Sequence, residues 1–454
     1  MDNLPARLQP FSTRSAPVAG LLAALIALLF TGSAVAERPP FPLPNPDRPA
    51  RTPVLQEGAH ISAHASCPRM RGLARSGNGS PALMVKSLDS GRVICSLNAG
   101  ASRSLASNTK IFTTVTALGR LGPSATFRTR VYAAGKVDRR GVLRGSLYLR
   151  GGGDPTLGTG RFLDAYLGGA GSDINRLAAQ VRRSGIKAVT GRLYGDDTVF
   201  DRLRGVADSG YGTSPYIGPL SGLSFNAGFT DSSLYRFSSD PAKLATRSFA
   251  RALRSRGVNI RNETAMRPTP AALRKTRPVG ILVSPDMGWM ARLTNLDSNN
   301  FFAEMLLKNI GARIRRAGTT RTGARVVRGF IANRFDATVR PVDGSGLTRG
   351  NRSSTGDVVK LLTRIRSRPW FGDFFGSLPT AGRDGTLADR MRGSAAQGRC
   401  HAKTGTLTGV SALSGYCYNR SGRKFAFSIL MNSVYNTNSA RAAQDRIAAM
   451  IAGF

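Results

Sequence analysis

Ser107-Asn108-Thr109-Lys110 opens an apolar run, Ile111-Phe112-Thr113-Thr114-Val115-Thr116-Ala117-Leu118, and the reading of that junction decides the fold. If the run is a helix, Ser107 and Lys110 stand three residues apart on one face, with an amine beside a hydroxyl in the first turn. A serine at its free pKa is a poor nucleophile, so an adjacent base is a means of activating it. The positive end of the helix would also favour an oxyanion at the serine. Taken alone the tetrapeptide is a weak signal, because a serine at that place also serves as an ordinary N-cap.

Two more pieces follow in order. Ser298-Asn299-Asn300 falls in a stretch that reads as one long helix over residues 287–312, and Lys403-Thr404-Gly405 falls on a strand over 400–405 with a hairpin partner at 411–417. Upstream, the strand-like runs 82–88 and 92–97 flank Asp89-Ser90-Gly91, a hairpin signal leading into the Ser107 helix. Residues 424–431 read as an apolar strand, and 355–364 and 440–452 as helices. Between the first two pieces the texture changes to short strands over 127–150, a helix at 174–184, a strand at 191–195, a loop over 209–240, a helix at 249–256 and a strand at 279–283. Gly151-Gly152-Gly153-Asp154-Pro155 lacks a following Gly-Lys-Ser/Thr and reads as a turn rather than a phosphate loop.

Ser-x-x-Lys, Ser-x-Asn and Lys-Thr-Gly in this order resemble the signature of active-site serine penicillin-binding proteins and serine β-lactamases. In that reading Lys110 is the base, its amine kept neutral by burial and by the second cation, Lys403. Ser298 relays a proton to the leaving nitrogen and Asn300 holds the substrate amide. The backbone N–H groups of Ser107 and Thr406 form the oxyanion hole, and Lys403, Thr404 and Gly405 receive a substrate carboxylate. A histidine triad fits less well, since His60, His64 and His401 are the only histidines and no Gly-x-Ser-x-Gly accompanies them. His401 is expected to face away from Lys403 or to lie beside the site. Neither the histidines nor the cysteines make a metal motif, and no cofactor is expected.

Three further runs, Gly151-Gly152-Gly153-Asp154-Pro155-Thr156-Leu157, Asp343-Gly344-Ser345-Gly346-Leu347 and Ala402-Lys403-Thr404-Gly405-Thr406-Leu407, are similar to those of the class C, low-molecular-mass penicillin-binding proteins, the D-alanyl-D-alanine carboxypeptidase/endopeptidase family. The resemblance covers about residues 54–454. It implies an α/β, transpeptidase-like catalytic domain, an antiparallel sheet with flanking helices, over 54–125 and 285–454, with one inserted, mostly β domain over 126–284. The 190 residues between Ser107 and Ser298 agree with such an insertion. It also implies acylation of Ser107 by peptidoglycan stem peptides or cross-links, inhibition by β-lactams, and contacts to a diaminopimelate side chain from Arg349 and from Asp196 or Asp197. A β-lactamase is the near rival, but the only glutamate between the first two motifs is Glu263, far in sequence from the first helix. A non-catalytic, basic wall-binding scaffold is the other.

The beginning of the chain fits export. Arg7 and Arg14 precede the apolar residues 18–30, and Ala34-Val35-Ala36 makes a cleavage site, so residues 1–36 read as a secretory signal and the protein is expected in the periplasm. Residues 37–53 are proline-rich and read as a tether. The formal charge is +39, from 65 Lys and Arg against 26 Asp and Glu. The leader carries Arg7, Arg14 and Asp2, a net +1, so its removal leaves +38. Such a chain is drawn to anionic wall or membrane surfaces, whereas no nucleic-acid motif is present. Cys67, Cys95, Cys400 and Cys417 allow three pairings, and proximity in sequence favours Cys67–Cys95 with Cys400–Cys417.

Overall fold

The structure is a computed structural model that describes residues 66–230, 236–260, 262 and 264–454. The expected leader and tether lie outside the described residues. The principal elements in chain order begin with helix α1 (Cys67–Ser76), strands β1 (Ser80–Ser87) and β2 (Val93–Leu97), and helix α2 (Thr109–Leu121). Then come β3 (Arg128–Val137), β4 (Val142–Arg150), α3 (Ile174–Arg183), β5 (Leu193–Asp196), α4 (Pro241–Ser255) and β6 (Gly280–Val283). The last group is α5 (Met287–Leu296), α6 (Asn300–Arg315), α7 (Thr320–Phe335), α8 (Thr355–Arg364), β7 (Cys400–Leu407), β8 (Val410–Tyr418), β9 (Lys424–Asn432) and α9 (Thr437–Ala452).

One sheet is antiparallel in the order β7-β8-β9-β1-β2, so strands from residues 80–97 and 400–432 complete it together. Residues 425–431 are apolar except for the buried Ser428, because both faces of β9 are covered. Phe425, Phe427, Ile429 and Met431 enter a cluster with residues of α1 and α9. Ala426 and Leu430, on the other face, join a larger cluster built mainly from α2, α5, α6, α7 and α8.

A second sheet is mixed. β4 pairs antiparallel with β3, β6 pairs antiparallel with β3, and β5 runs parallel to β4. Helices α3 and α4 pack together on it, and Val131, Leu147, Leu177, Phe249 and Leu253 share a core distinct from the other two. The polypeptide between these strands does not stay with its own sheet. Phe162, Phe200, Ile217, Leu220 and Phe229 join the helical cluster of α2 and α6. The triple glycine lies at this junction, where a Cβ on Gly151 would come 2.1 Å from the Gly222 carbonyl oxygen and one on Gly152 2.2 Å from that of Arg128. Close approach of backbones, not phosphate binding, accounts for those glycines.

Three details differ from the sequence reading. The long helix expected over 287–312 is two helices, broken where Ser298 adopts φ +56° and the Asn299 side chain accepts from the Phe302 N–H at 3.0 Å. Short polar side chains there offer the backbone an alternative to continuing the helix. Ser107 does not lie in the α-helix proper but in a 3₁₀ turn, Ala106–Asn108, that runs into α2, with Ala106 at φ +45°. The helix expected at 249–256 begins much earlier, at Pro241, capped by Asp240. Both disulfides, Cys67–Cys95 and Cys400–Cys417, are formed.

Candidate active site

The 3₁₀ turn that carries Ser107 is wedged against β7. Asn108 Nδ2 donates to the Lys403 carbonyl at 3.0 Å, and a Cβ on Gly405 would fall 3.0 Å from the Ser107 nitrogen. From the other side Gly346 presses on the same turn, a Cβ there meeting the Ala106 oxygen at 1.8 Å. Glycine at 346, which also has φ +90°, is what lets the two backbones meet.

Lys110 is fully buried at the centre. Its Nζ lies 2.9 Å from Ser107 Oγ, 2.7 Å from Asn300 Oδ1 and 2.7 Å from the Ser345 carbonyl oxygen. A neutral amine has two protons and one lone pair. The Asn300 and Ser345 oxygens can only accept, so they take both protons and leave the lone pair facing the Ser107 hydroxyl. Asn300 is itself held by its Nδ2 donating to the Tyr216 carbonyl at 3.1 Å, which fixes its amide orientation. Burial lowers the Lys110 pKa to about 7, against the opposing pull of Glu304 and Asp343.

Lys403 is equally buried, and its Nζ donates to the Thr404 carbonyl at 3.0 Å. Burial first, and then the charge on Lys110, push its pKa well below the usual lysine range. Thr404 Oγ1 donates to Thr386 Oγ1 at 2.7 Å, and Thr406 is exposed at the strand's outer part. Ser298, half-buried, sits in the break two residues before the side chain that touches Lys110.

Sequence reasoning missed what lies beneath. Glu304, fully buried on α6, accepts from the N–H groups of Gly344 (2.9 Å) and Ser345 (2.7 Å), so it steers the carbonyl that Lys110 uses. Burial and the nearby Asp343 push its pKa up to about 7. Asp343 accepts from the Gly346 and Thr348 N–H groups and from Asn351 Nδ2, and burial raises it as well. One turn beyond Glu304, the buried Lys308 Nζ pairs with Asp201 and donates to the Leu203 carbonyl at 2.8 Å. Asn300, Glu304 and Lys308 therefore form one polar stripe along a helix whose intervening residues, 301–303 and 305–307, are apolar. Their spacing of four was visible in the sequence and was the available signal.

The remaining candidates lie elsewhere. The Arg349 guanidinium donates to the Thr408 carbonyl at the turn between β7 and β8. Asp196 is buried in the second sheet, where it pairs with Arg150 at 3.2 Å and accepts from Thr198 and from the Thr269 N–H. Burial would raise its pKa, but these hydrogen bonds outweigh it and hold the carboxyl below the ordinary value. Asp197 accepts from Arg204 and Ser221. Both carboxylates are engaged within their own segment. His401 turns out to share a strand face with Lys403 rather than facing away from it, packed against Phe375 and beside Thr380 Oγ1. Burial lowers its pKa to about 4, so it is neutral near pH 7. Among the described residues no cluster of His, Cys, Asp or Glu could hold a metal ion.

Residues 75–239 and 230–453 match the D-Ala-D-Ala carboxypeptidase 3 (S13) family. The chain belongs to this family. It is 32% identical over 402 residues to a D-alanyl-D-alanine carboxypeptidase of an Actinomadura species, covering 71% of this chain and 72% of the relative. It is 30% identical over 425 residues to carboxypeptidase DacB of Mycolicibacterium smegmatis, covering 87% of each. Penicillin binding protein 4 (dacB) from Haemophilus influenzae has the same fold, with a TM-score of 0.70, 20% identity, and 83% of this chain and 97% of that chain covered. These similarities identify a low-molecular-mass, class C member of the penicillin-binding proteins, with the transpeptidase-like α/β architecture that the three motifs imply.

Proposed function

We propose that the protein is an exported serine D-Ala-D-Ala carboxypeptidase/endopeptidase of peptidoglycan stem peptides and cross-links, inhibited by β-lactams. The observation that carries this reading is the buried Lys110 amine 2.9 Å from Ser107 Oγ, with its two protons engaged elsewhere. Ser107 Oγ attacks the penultimate D-Ala carbonyl carbon and its proton passes to Lys110 Nζ. The oxyanion points at the N–H groups of Ser107 and Thr406. The C–N bond then breaks, and the leaving nitrogen receives the proton through Ser298. Water hydrolyses the Ser107 ester by the reverse proton path.

Lys403, with Thr404 and Gly405, takes the substrate's terminal carboxylate. An arriving carboxylate favours the charged form of Lys403, and that charge in turn favours a neutral Lys110. Residues 54–125 and 285–454 make the catalytic part and 126–284 an insertion, supported by the separate core of the second sheet. Arg349, beside the outer end of β7, is the residue proposed to meet the stem-peptide side chain. Asp196 is assigned instead to holding its own sheet, given its partners. The leader over 1–36, the two disulfides and the family's cell-wall chemistry support export to the periplasm.

Penicillin tests the mechanism, because ring opening expels no leaving group and the acyl-serine persists. Mass spectrometry should find one penicillin mass on the peptide containing Ser107 and none on Ser107→Ala. Lys110→Ala should keep its melting temperature but acylate about 10²–10⁴-fold more slowly. An unlabelled wild-type protein would refute the proposal, and rapid turnover of a chromogenic cephalosporin would make it a β-lactamase.

A further inference from the structure

The two helices that cover the second sheet gather cations on their exposed side, and α4 carries four of them on one ridge. On α4, Lys243, Arg247, Arg251 and Arg254 are all exposed. At about 100° per residue they fall within an arc of about 80°, and neighbours four apart rise about 6 Å along the axis. The opposite side of α4, including Ala242, Ala245, Phe249 and Leu253, is buried in the sheet's core. On the adjoining α3, Arg176 and Arg183, seven residues apart, are also exposed above buried Ile174, Leu177 and Val181. Neither helix contains an acidic residue between its first and last positions. None of these six cations forms an ion pair with a described carboxylate. At the end of α3 the surface dips into a cleft of about 390 Å³, bounded by Arg183 and Arg277.

We infer that this two-helix face is a docking surface for a linear polyphosphate-type polyanion, an extended chain that presents a phosphate every few ångströms. Unneutralised like charges on one ridge are held together at an electrostatic cost that a polyanion relieves, with release of its counterions. Guanidinium groups suit that anion, since their paired N–H donors match the geometry of phosphate oxygens. A ridge about 16 Å long accepts several consecutive anionic groups of one strand. A bilayer fits less well. Surface-lying helices anchor by burying apolar side chains, and the apolar faces of α3 and α4 are already spent on their own sheet. None of the large hydrophobic residues exposed on the molecule lies on either helix. This inference is independent of the chemistry at Ser107.

Inorganic polyphosphate serves as the probe, titrated against the full chain over a range of salt concentrations. Replacing Lys243, Arg247, Arg251 and Arg254 with Gln should weaken binding at least about tenfold near 0.1 M salt. It should also reduce the slope of log affinity against log salt by about 3, roughly 0.7 per contact for a single strand. A matched variant with Arg92, Arg139, Arg340 and Arg420 replaced by Gln removes the same charge from scattered exposed positions, and should lose less than about threefold. The midpoint of urea unfolding serves as the folding check for both. If the quadruple variant fails that check, the pairs Lys243→Gln/Arg247→Gln and Arg251→Gln/Arg254→Gln are read separately, each expected to give an intermediate loss. Equal losses in the ridge and scattered variants would mean that only net charge matters and would overturn the inference. Tighter, ridge-dependent binding to anionic phospholipid vesicles than to polyphosphate would overturn it in favour of a membrane.

Discussion

At Lys110 the partners set direction as well as basicity. The Asn300 and Ser345 oxygens orient the lone pair, while burial brings the pKa to about 7. Only the neutral amine can accept the Ser107 proton. The acylation rate constant should therefore fall about tenfold per pH unit below 7 and level off above it. Glu304 opposes this effect, since its negative form raises the Lys110 pKa. Glu304→Gln keeps an oxygen for the Gly344 and Ser345 N–H groups but removes the charge. The inflection in the pH profile of penicillin acylation should move to lower pH, and an unmoved or raised inflection would remove Glu304 from the control of the base. At this scale the three motifs were legible because they occur as an ordered set, each with its own fixed spacing, although each alone is weak. Glu304 and Asp343 were not, because nothing in the sequence shows that a carboxylate is buried.

Helix α6 joins the site to the second sheet's connecting segment. Its stripe runs from Asn300 at the nucleophile, through Glu304, to Lys308, which meets Asp201. Burial lowers the Lys308 pKa while Asp201 opposes that shift, so the pair is interdependent. Asp201→Asn strands a buried cation and should destabilise the protein by about 3 kcal/mol. Adding Lys308→Met should restore much of that loss, as read by urea unfolding of the single and double variants. A double variant no better than the single would mean that the pair is not a unit. The sequence placed a helical run here correctly but not its interruption, because an isolated serine in the left-handed region carries no periodic signal. The Asp240-Pro241 cap that starts α4 follows a stretch rich in loop residues, which masks its first two turns in the sequence.

Across the whole molecule, the hairpins over 82–97 and 400–417 and the strand over 424–431 were legible from the residues, while their union in one antiparallel sheet was implied by the resemblance and their order is given by the structure. Both faces of β9 needed cover, and helices before and after the strands could supply it. Both disulfides join the cluster on one face of that sheet, Cys67 tying α1 to β2 and Cys400 tying β7 to β8. Replacing Cys400 and Cys417 with Ser should cost about 3 kcal/mol, the scale expected for a loop of that length, as the midpoint of denaturant unfolding would register. What the sequence did not reveal is how far the residues between β4 and α4 travel. Phe162, Phe200, Ile217, Leu220 and Phe229 share the cluster of the nucleophile's own helix. This interleaving limits how the molecule can be simplified. A shortened version cut at the two chain crossings, as one would excise a cassette, would expose the apolar wall those aromatic rings cover and leave Lys308 without its counter-charge. A minimal enzyme would have to be redesigned along that seam, with the boundary drawn by who packs against whom rather than by where the strands begin.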